Sequence, residues 1–264
     1  MDAAWARGIR ALDTADAYGG GRSETWIGRW MSARGRRPAL TTKVFHSVTG
    51  DPADRGLSAE RIRRQIDGSL ERLGVERVDV YLIHEPDPET PIAETLGALV
   101  ELVEAGKVGA IGASNVDRAW LEEGLSLAPI SVVQNSYSLL DRESDDVVAY
   151  CAERGIDFQA FGPLAGGWLT GKYRRGEPPA PDSRMTQRPE GYAHFERDEV
   201  FEGLERLEAI GDMPTLAFAW LLSNPDVAAV VTGPRRPEHL EPAFAARDVQ
   251  LSSEERDHLA SLFP

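Results

Sequence analysis

Seven short β-like runs recur along the chain with longer amphipathic stretches between them, and this rhythm restricts the fold more than any other feature. The runs are Arg10–Thr14, Ala39–Val44, Val78–Ile83, Gly109–Ser114, Ser131–Asn135, Asp157–Phe161 and Ala228–Thr232. Between them, Ser58–Leu73 and Ile92–Glu104 read as helices, the first with Ser58 as N-cap and Gly74 as the glycine after its end. Strands that alternate with helices call for a parallel sheet with helical crossovers, so a barrel and a doubly wound sheet compete.

The loops separate the two. A doubly wound dinucleotide fold carries G-x-G-x-x-G after its first strand, whereas the best glycine cluster, Gly106, Gly109 and Gly112, has the wrong spacing and runs into a strand. Polar and titratable residues instead follow most strands, where a (β/α)₈ TIM barrel builds its active site. The expected fold class is therefore α/β, as a single barrel domain over residues 1–264. Lys172 to Glu199, rich in proline and arginine, is too long for an ordinary connection and is expected to be a functional loop or lid.

Composition removes several classes of function. Apolar residues make up 42% and charged residues 27%, which argues against disordered and collagen-like chains. With 29 Lys and Arg against 43 Asp and Glu, the formal charge of −14 repels nucleic acid. The one cysteine, Cys151, can form neither an internal disulfide nor a thiolate metal cage, in keeping with a cytoplasmic location. No apolar run is long enough to span a bilayer, and MDAAWARGIR lacks a signal-peptide core, so no membrane role is expected.

Three consecutive strands deliver chemistry to one face. The first ends in Asp13 and a glycine-rich turn carrying Tyr18, the second in Lys43, and the third in His84. A buried ammonium beside a phenol favours phenolate, so Lys43 is expected to pull the Tyr18 pKa below about 10 and make it a usable proton donor. Asp13 is expected to pair with Lys43, and His84 to hydrogen-bond and orient a substrate oxygen. Such a group polarises a carbonyl and needs no metal.

The motifs DTADAYGGGRSE, TTKV, LIHEPD, GKVGAIGASN, VVQNSYSLLDRE, FGPLAGGWLTGKY and VVTGPRRPEHLEP resemble the aldo-keto reductases over nearly the whole chain, nearest the branch of bacterial oxidoreductases and potassium-channel β subunits. The resemblance implies that Asp13, Tyr18, Lys43 and His84 are the four catalytic residues, with Tyr18 as general acid. It implies a nicotinamide dinucleotide, usually NADPH, bound without a Rossmann motif. Ser114, Asn115 and Gln134 are implied to hold the nicotinamide carboxamide and Phe161 to stack on its ring.

A barrel is expected to bind phosphate with the loops after its last strands. Phe161, Gly162, Pro163, Leu164 and Gly166 open a loop whose backbone N–H groups are expected to approach an anion. Lys172 and Arg184 add charge at positions the family uses for phosphates. After the last run, Gly233, Arg235, Arg236 and His239 suit a 2′-phosphate and the adenosine end. The local cations Lys172, Arg174, Arg175, Arg184, Arg235 and Arg236 favour NADPH over NADH.

Two departures from the family pattern stand out. Members open with a β-hairpin and a first strand bearing a G-x-G-T-like turn, whereas Met1–Gly8 aligns with the end of the helix that follows. Seven strands are thus expected where closure needs eight, so that either the start lies upstream, or another chain, as in a homo-oligomer, or a rearranged terminus fills the gap. In the adenine clasp, His239, Pro242 and Ala243 stand where the family often has Gln, Glu and Asn. The function implied is NADPH-dependent reduction of a small aldehyde or ketone; the alternative is a catalytically weak NADPH-binding regulatory or partner subunit.

Overall fold

A computed structural model describes residues 1–264. All seven expected strands are present, as β1 (Ala11–Asp13), β2 (Ala39–Val44), β3 (Val78–Ile83), β4 (Val108–Ser114), β5 (Ile130–Ser136), β6 (Asp157–Phe161) and β7 (Ala229–Val231). The chain divides into two compact units, one of Met1–Gln134 with Tyr150–Asp157, the other of Asn135–Ala149 with Phe158–Pro264.

In the first unit, β1 to β5 pair in parallel and in chain order. The register sets Asp13 against Thr41, Lys43 against Leu82 and Ser114 against Gln134, so the polar residues collect at the carboxyl ends of the strands. Gly112 allows the close approach of β4 and β5, because a Cβ there would collide with the Val132 carbonyl and the Leu82 side chain.

Helices α1 (Asp2–Ala6), α2 (Arg22–Arg34), α3 (Ala59–Leu73), α4 (Ile92–Glu104) and α5 (Arg118–Leu127) follow the same rhythm. Ser58 caps α3 through a hydrogen bond from the Arg61 N–H, a contact worth about 1 kcal/mol, and Gly74 ends the helix in the left-handed region. One apolar face of α3, with Ile62, Ile66, Leu70 and Leu73, is buried. Between helices and sheet lies a polar pin: the fully buried Glu24 accepts from Thr42 Oγ1 at 2.5 Å and from Arg72 Nε at 2.7 Å. At the start of the chain, Trp5 meets the Trp30 ring edge-on, and Asp2 accepts from Trp30 Nε1 and Arg34 Nη2, both at 2.8 Å.

In the second unit, β6 and β7 pair in parallel, with Phe161 opposite Val231. The helix Met213–Leu222 buries Phe218 and Ala219 against Ala246, with Leu164 and Val230 packed alongside. The Lys172–Glu199 segment carries short helical turns at Arg184–Gln187, Pro189–Gly191 and Ala193–Phe195. Tyr173 and Phe195 anchor it by packing on Trp168, with ring centroids 4.9 and 6.2 Å away.

Candidate active site

At the strand ends of the first unit, Lys43 is 1% exposed and donates from Nζ to the Asp13 carboxylate and, at 3.0 Å, to the Thr14 carbonyl. The other Asp13 oxygen accepts from Gln134 Nε2 at 2.9 Å. A buried ammonium needs this degree of pairing, because isolated charge is expensive to desolvate. Tyr18 Oη lies 3.5 Å from His84 Nε2, and the two rings meet edge to face with centroids 5.4 Å apart. The structure thus brings all four expected residues together.

The electrostatics correct one expectation. Lys43 Nζ lies 5.3 Å from the centroid of the Tyr18 ring and is bonded to Asp13. Desolvation and the Asp13 carboxylate push the Tyr18 phenol up to about 12, so the ammonium does not acidify it. Burial also pulls the Lys43 ammonium below the ordinary lysine value, while Asp13 opposes that shift. His84 is driven down to about 3 by burial first, then by the charge on Lys43 and by His46. Around neutral pH the site therefore presents a protonated phenol beside a neutral imidazole.

Ser114 and Asn115 stand where expected, at the end of β4. Asn115 has φ of 56°, the left-handed conformation that asparagine tolerates, and donates from Nδ2 to the His84 carbonyl at 2.8 Å and to Ser114 Oγ at 3.2 Å. Gln134 uses its amide N–H on Asp13. Asn115 and Gln134 thus brace the candidate catalytic residues His84 and Asp13, and all three are candidates for cofactor contact.

In the second unit, a cavity of about 360 Å³ is lined by Phe161, Gly162, Gly166, Arg184, Tyr192 and Asp141, among others. Gly166 sits under the Tyr192 ring, and a Cβ on Gly167 would collide with the Lys172 ammonium. An aromatic face, unsubstituted backbone and a guanidinium fit part of a nicotinamide dinucleotide. In the glycine loop the N–H groups of Ala165 and Gly167 close turns onto the carbonyls of Gly162 and Leu164, which leaves those of Gly162, Leu164 and Gly166 as the candidates to approach an anion. Pro163 and Leu164 lie in this turn, with Leu164 packed on the core.

The expected cation cluster is also narrower. Arg174 pairs with Glu208, and Arg175 with Asp198 and Glu205, which leaves Lys172, Arg184, Arg235 and Arg236 as the candidates for phosphate. Gly233, Arg235 and Arg236 follow β7, and His239 Nδ1 accepts from the Arg235 N–H at 3.3 Å.

Sequence reasoning missed three contributors. The Thr14 carbonyl on Lys43 is a backbone group with no sequence signal. Tyr192, on the proline-rich segment, lines the cavity wall. His46, three residues beyond Lys43, meets the His84 ring edge-on at 4.7 Å, and its place on the loop after β2 was the available clue.

The chain is 32% identical over 268 residues to the NADH-specific methylglyoxal reductase of Escherichia coli, covering 93% of this chain and 80% of that one. It is 33% identical over 263 residues to a probable voltage-gated potassium channel subunit beta of Arabidopsis thaliana, covering 92% and 79%. The solved structure of the glycerol dehydrogenase AKR11B4 from Gluconobacter oxydans superposes with a TM-score of 0.87 at 28% identity, covering 99% of this chain and 83% of that one. The model of the aldo/keto reductase family matches residues 1–263, and the chain is a member of that family, an α/β protein of its TIM-barrel type.

Proposed function

We propose that the protein reduces an aldehyde or ketone to an alcohol with a reduced nicotinamide cofactor, with Tyr18 as general acid. The observation that carries this reading is the Tyr18 hydroxyl 3.5 Å from the neutral His84 imidazole, beside the buried Lys43–Asp13 pair. When bound, the cofactor supplies the hydride that adds to the carbonyl carbon. The substrate oxygen then gains a proton from Tyr18 Oη while His84 holds it in line. A phenol near 12 retains its proton at neutral pH, and an alkoxide is a stronger base than a phenolate, so the transfer is favourable. Lys43, kept charged by Asp13, stabilises the phenolate that remains.

Ser114, Asn115 and Gln134 are assigned to the carboxamide and Phe161 to the nicotinamide ring, in keeping with the family pattern. Lys172, Arg184, Arg235 and Arg236 are assigned to the phosphates, and His239 to the adenosine end. The two guanidiniums after β7 favour NADPH, although the similar methylglyoxal reductase is NADH-specific. The test is loss of reduced-nicotinamide absorbance with NADPH and with NADH over a panel of aldehydes and ketones. Turnover supports the reading, and tight cofactor binding without turnover removes it.

A second reading is a cofactor-binding partner subunit, favoured by the 33% identity to a channel β subunit. Binding of NADPH without turnover, together with stability only in an assembly, would favour it over the enzyme. No helix is long and apolar enough to cross a membrane. A cytoplasmic location and a homo-oligomer remain part of the proposal.

A further inference from the structure

Beside Tyr18 and His84 stands a ring to which the proposed chemistry gives no task. The His46 imidazole lies between two neighbours, edge-on to His84 at 4.7 Å and to Phe45 at 5.1 Å between centroids. Its backbone is also fixed. Arg61, only 4% exposed, donates from Nη2 to the carbonyls of His46 at 2.8 Å and Asp54 at 3.0 Å, and from Nη1 to that of Gly56 at 3.1 Å. A buried guanidinium with its donors used in this way holds the loop in one shape.

The held ring is nevertheless open on one side, with 45% of the His46 side chain exposed. Nδ1 lies 3.9 Å from Glu85 Oε1, beyond hydrogen-bond distance. If the reacting carbonyl oxygen sits at the Tyr18–His84 pair, as the proposed function requires, this imidazole stands one ring away from it, 4.7 Å from His84 between centroids. An imidazole donates to a keto oxygen and either donates to or accepts from a hydroxyl. A polar group positioned in this manner discriminates against substrates that cannot bond to it.

We propose that His46 determines specificity by binding a second oxygen on the carbon next to the reacting carbonyl, so that the site prefers 2-oxo and 2-hydroxy aldehydes to unsubstituted ones. This rests on the reductase reading above. Propanal, 2-hydroxypropanal and 2-oxopropanal share a three-carbon skeleton and differ only at the second carbon.

The readout is kcat/KM for each oxygenated aldehyde divided by that for propanal, so that any general loss of activity cancels. For His46→Leu both ratios are expected to fall roughly ten-fold, the worth of one hydrogen bond, and His46→Gln, which keeps an amide donor and acceptor, is expected to retain more of them. Ratios equal to those of the wild type in both variants overturn the assignment, even if absolute rates drop. A wild-type protein that reduces other aldehydes or ketones but none of these three overturns the proposal and leaves the reductase reading standing, whereas no turnover with any carbonyl overturns both.

Discussion

The Lys43 ammonium donates to the Asp13 carboxylate and stands 5.3 Å from the centre of the Tyr18 ring, so its charge serves the acid first and the phenol second. In the proposed mechanism the proton for the substrate therefore comes from a phenol held at about 12, and the role assigned to Lys43 is to stabilise the phenolate as it forms.

Removing the ammonium should damage both stability and rate. Lys43→Met leaves Asp13 with one partner, Gln134, and breaking a buried pair costs about 3–5 kcal/mol. Turnover should fall by about 10²-fold or more. Urea unfolding and steady-state rates measure the two losses. A variant with wild-type rate would remove Lys43 from the chemistry.

His84 links folding to pH with a definite sign. Its folded pKa, about 3, lies below the 6.5 of an ordinary histidine, so the unfolded chain takes up the proton first as pH falls. The stabilisation it contributes is complete above pH 6.5 and is lost as pH drops toward 3. His84→Gln should show a shallower decline of stability over that window, and a direct NMR titration should find the wild-type ring still neutral at pH 5. A ring protonating near 6.5 contradicts the burial argument.

Asp16 has the opposite sign. It is fully buried, and desolvation, with Glu24 adding to it, raises the pKa to about 7. A raised acid favours the folded state below the unfolded value of 3.8 and loses that contribution as pH rises through 7. Asp16→Asn should therefore be more stable than the wild type at pH 8 and gain little at pH 4, by thermal unfolding at both. Equal gains at the two pH values would show that the carboxyl does not titrate in this range.

Glu24 joins β2 to α2 and α3 through Thr42 and Arg72. Glu24→Ala leaves the Arg72 guanidinium, itself only partly exposed, without its carboxylate, and a loss of about 2–4 kcal/mol is expected. Glu24→Gln should recover part of it, because the amide oxygen still accepts. A Glu24→Ala protein with wild-type unfolding would show that the apolar layer alone holds these elements.

Much of the fold could be read in the chain because its signals are local. Strand runs such as Ala39–Val44 and Val78–Ile83 are apolar and short, and Ser58 and Gly74 bracket their helix by backbone rules that act over one turn. The gathering of Asp13, Tyr18, Lys43 and His84 followed from their common place after consecutive strands. What could not be read depended on distant partners. Arg174 and Arg175 resemble phosphate ligands until Glu208 and Asp198, on a later helix, neutralise them. In the glycine-rich turn after Phe161, the N–H groups of Ala165 and Gly167 are taken up by the carbonyls of Gly162 and Leu164, which spacing alone does not reveal. The pairing of Lys43 with Asp13 was legible, but not that burial and the Asp13 charge together would raise the Tyr18 phenol, which depends on how the folded chain packs around it.

The central claim, that Tyr18 delivers the proton in a nicotinamide-dependent carbonyl reduction, is tested most directly by comparing the wild type with Tyr18→Phe in one assay of reduced-nicotinamide consumption, with cofactor affinity measured in parallel by fluorescence. The account predicts unchanged cofactor affinity and a turnover lower by about 10²–10⁴-fold, the usual contribution of a positioned general acid. Undiminished turnover in the variant would contradict it.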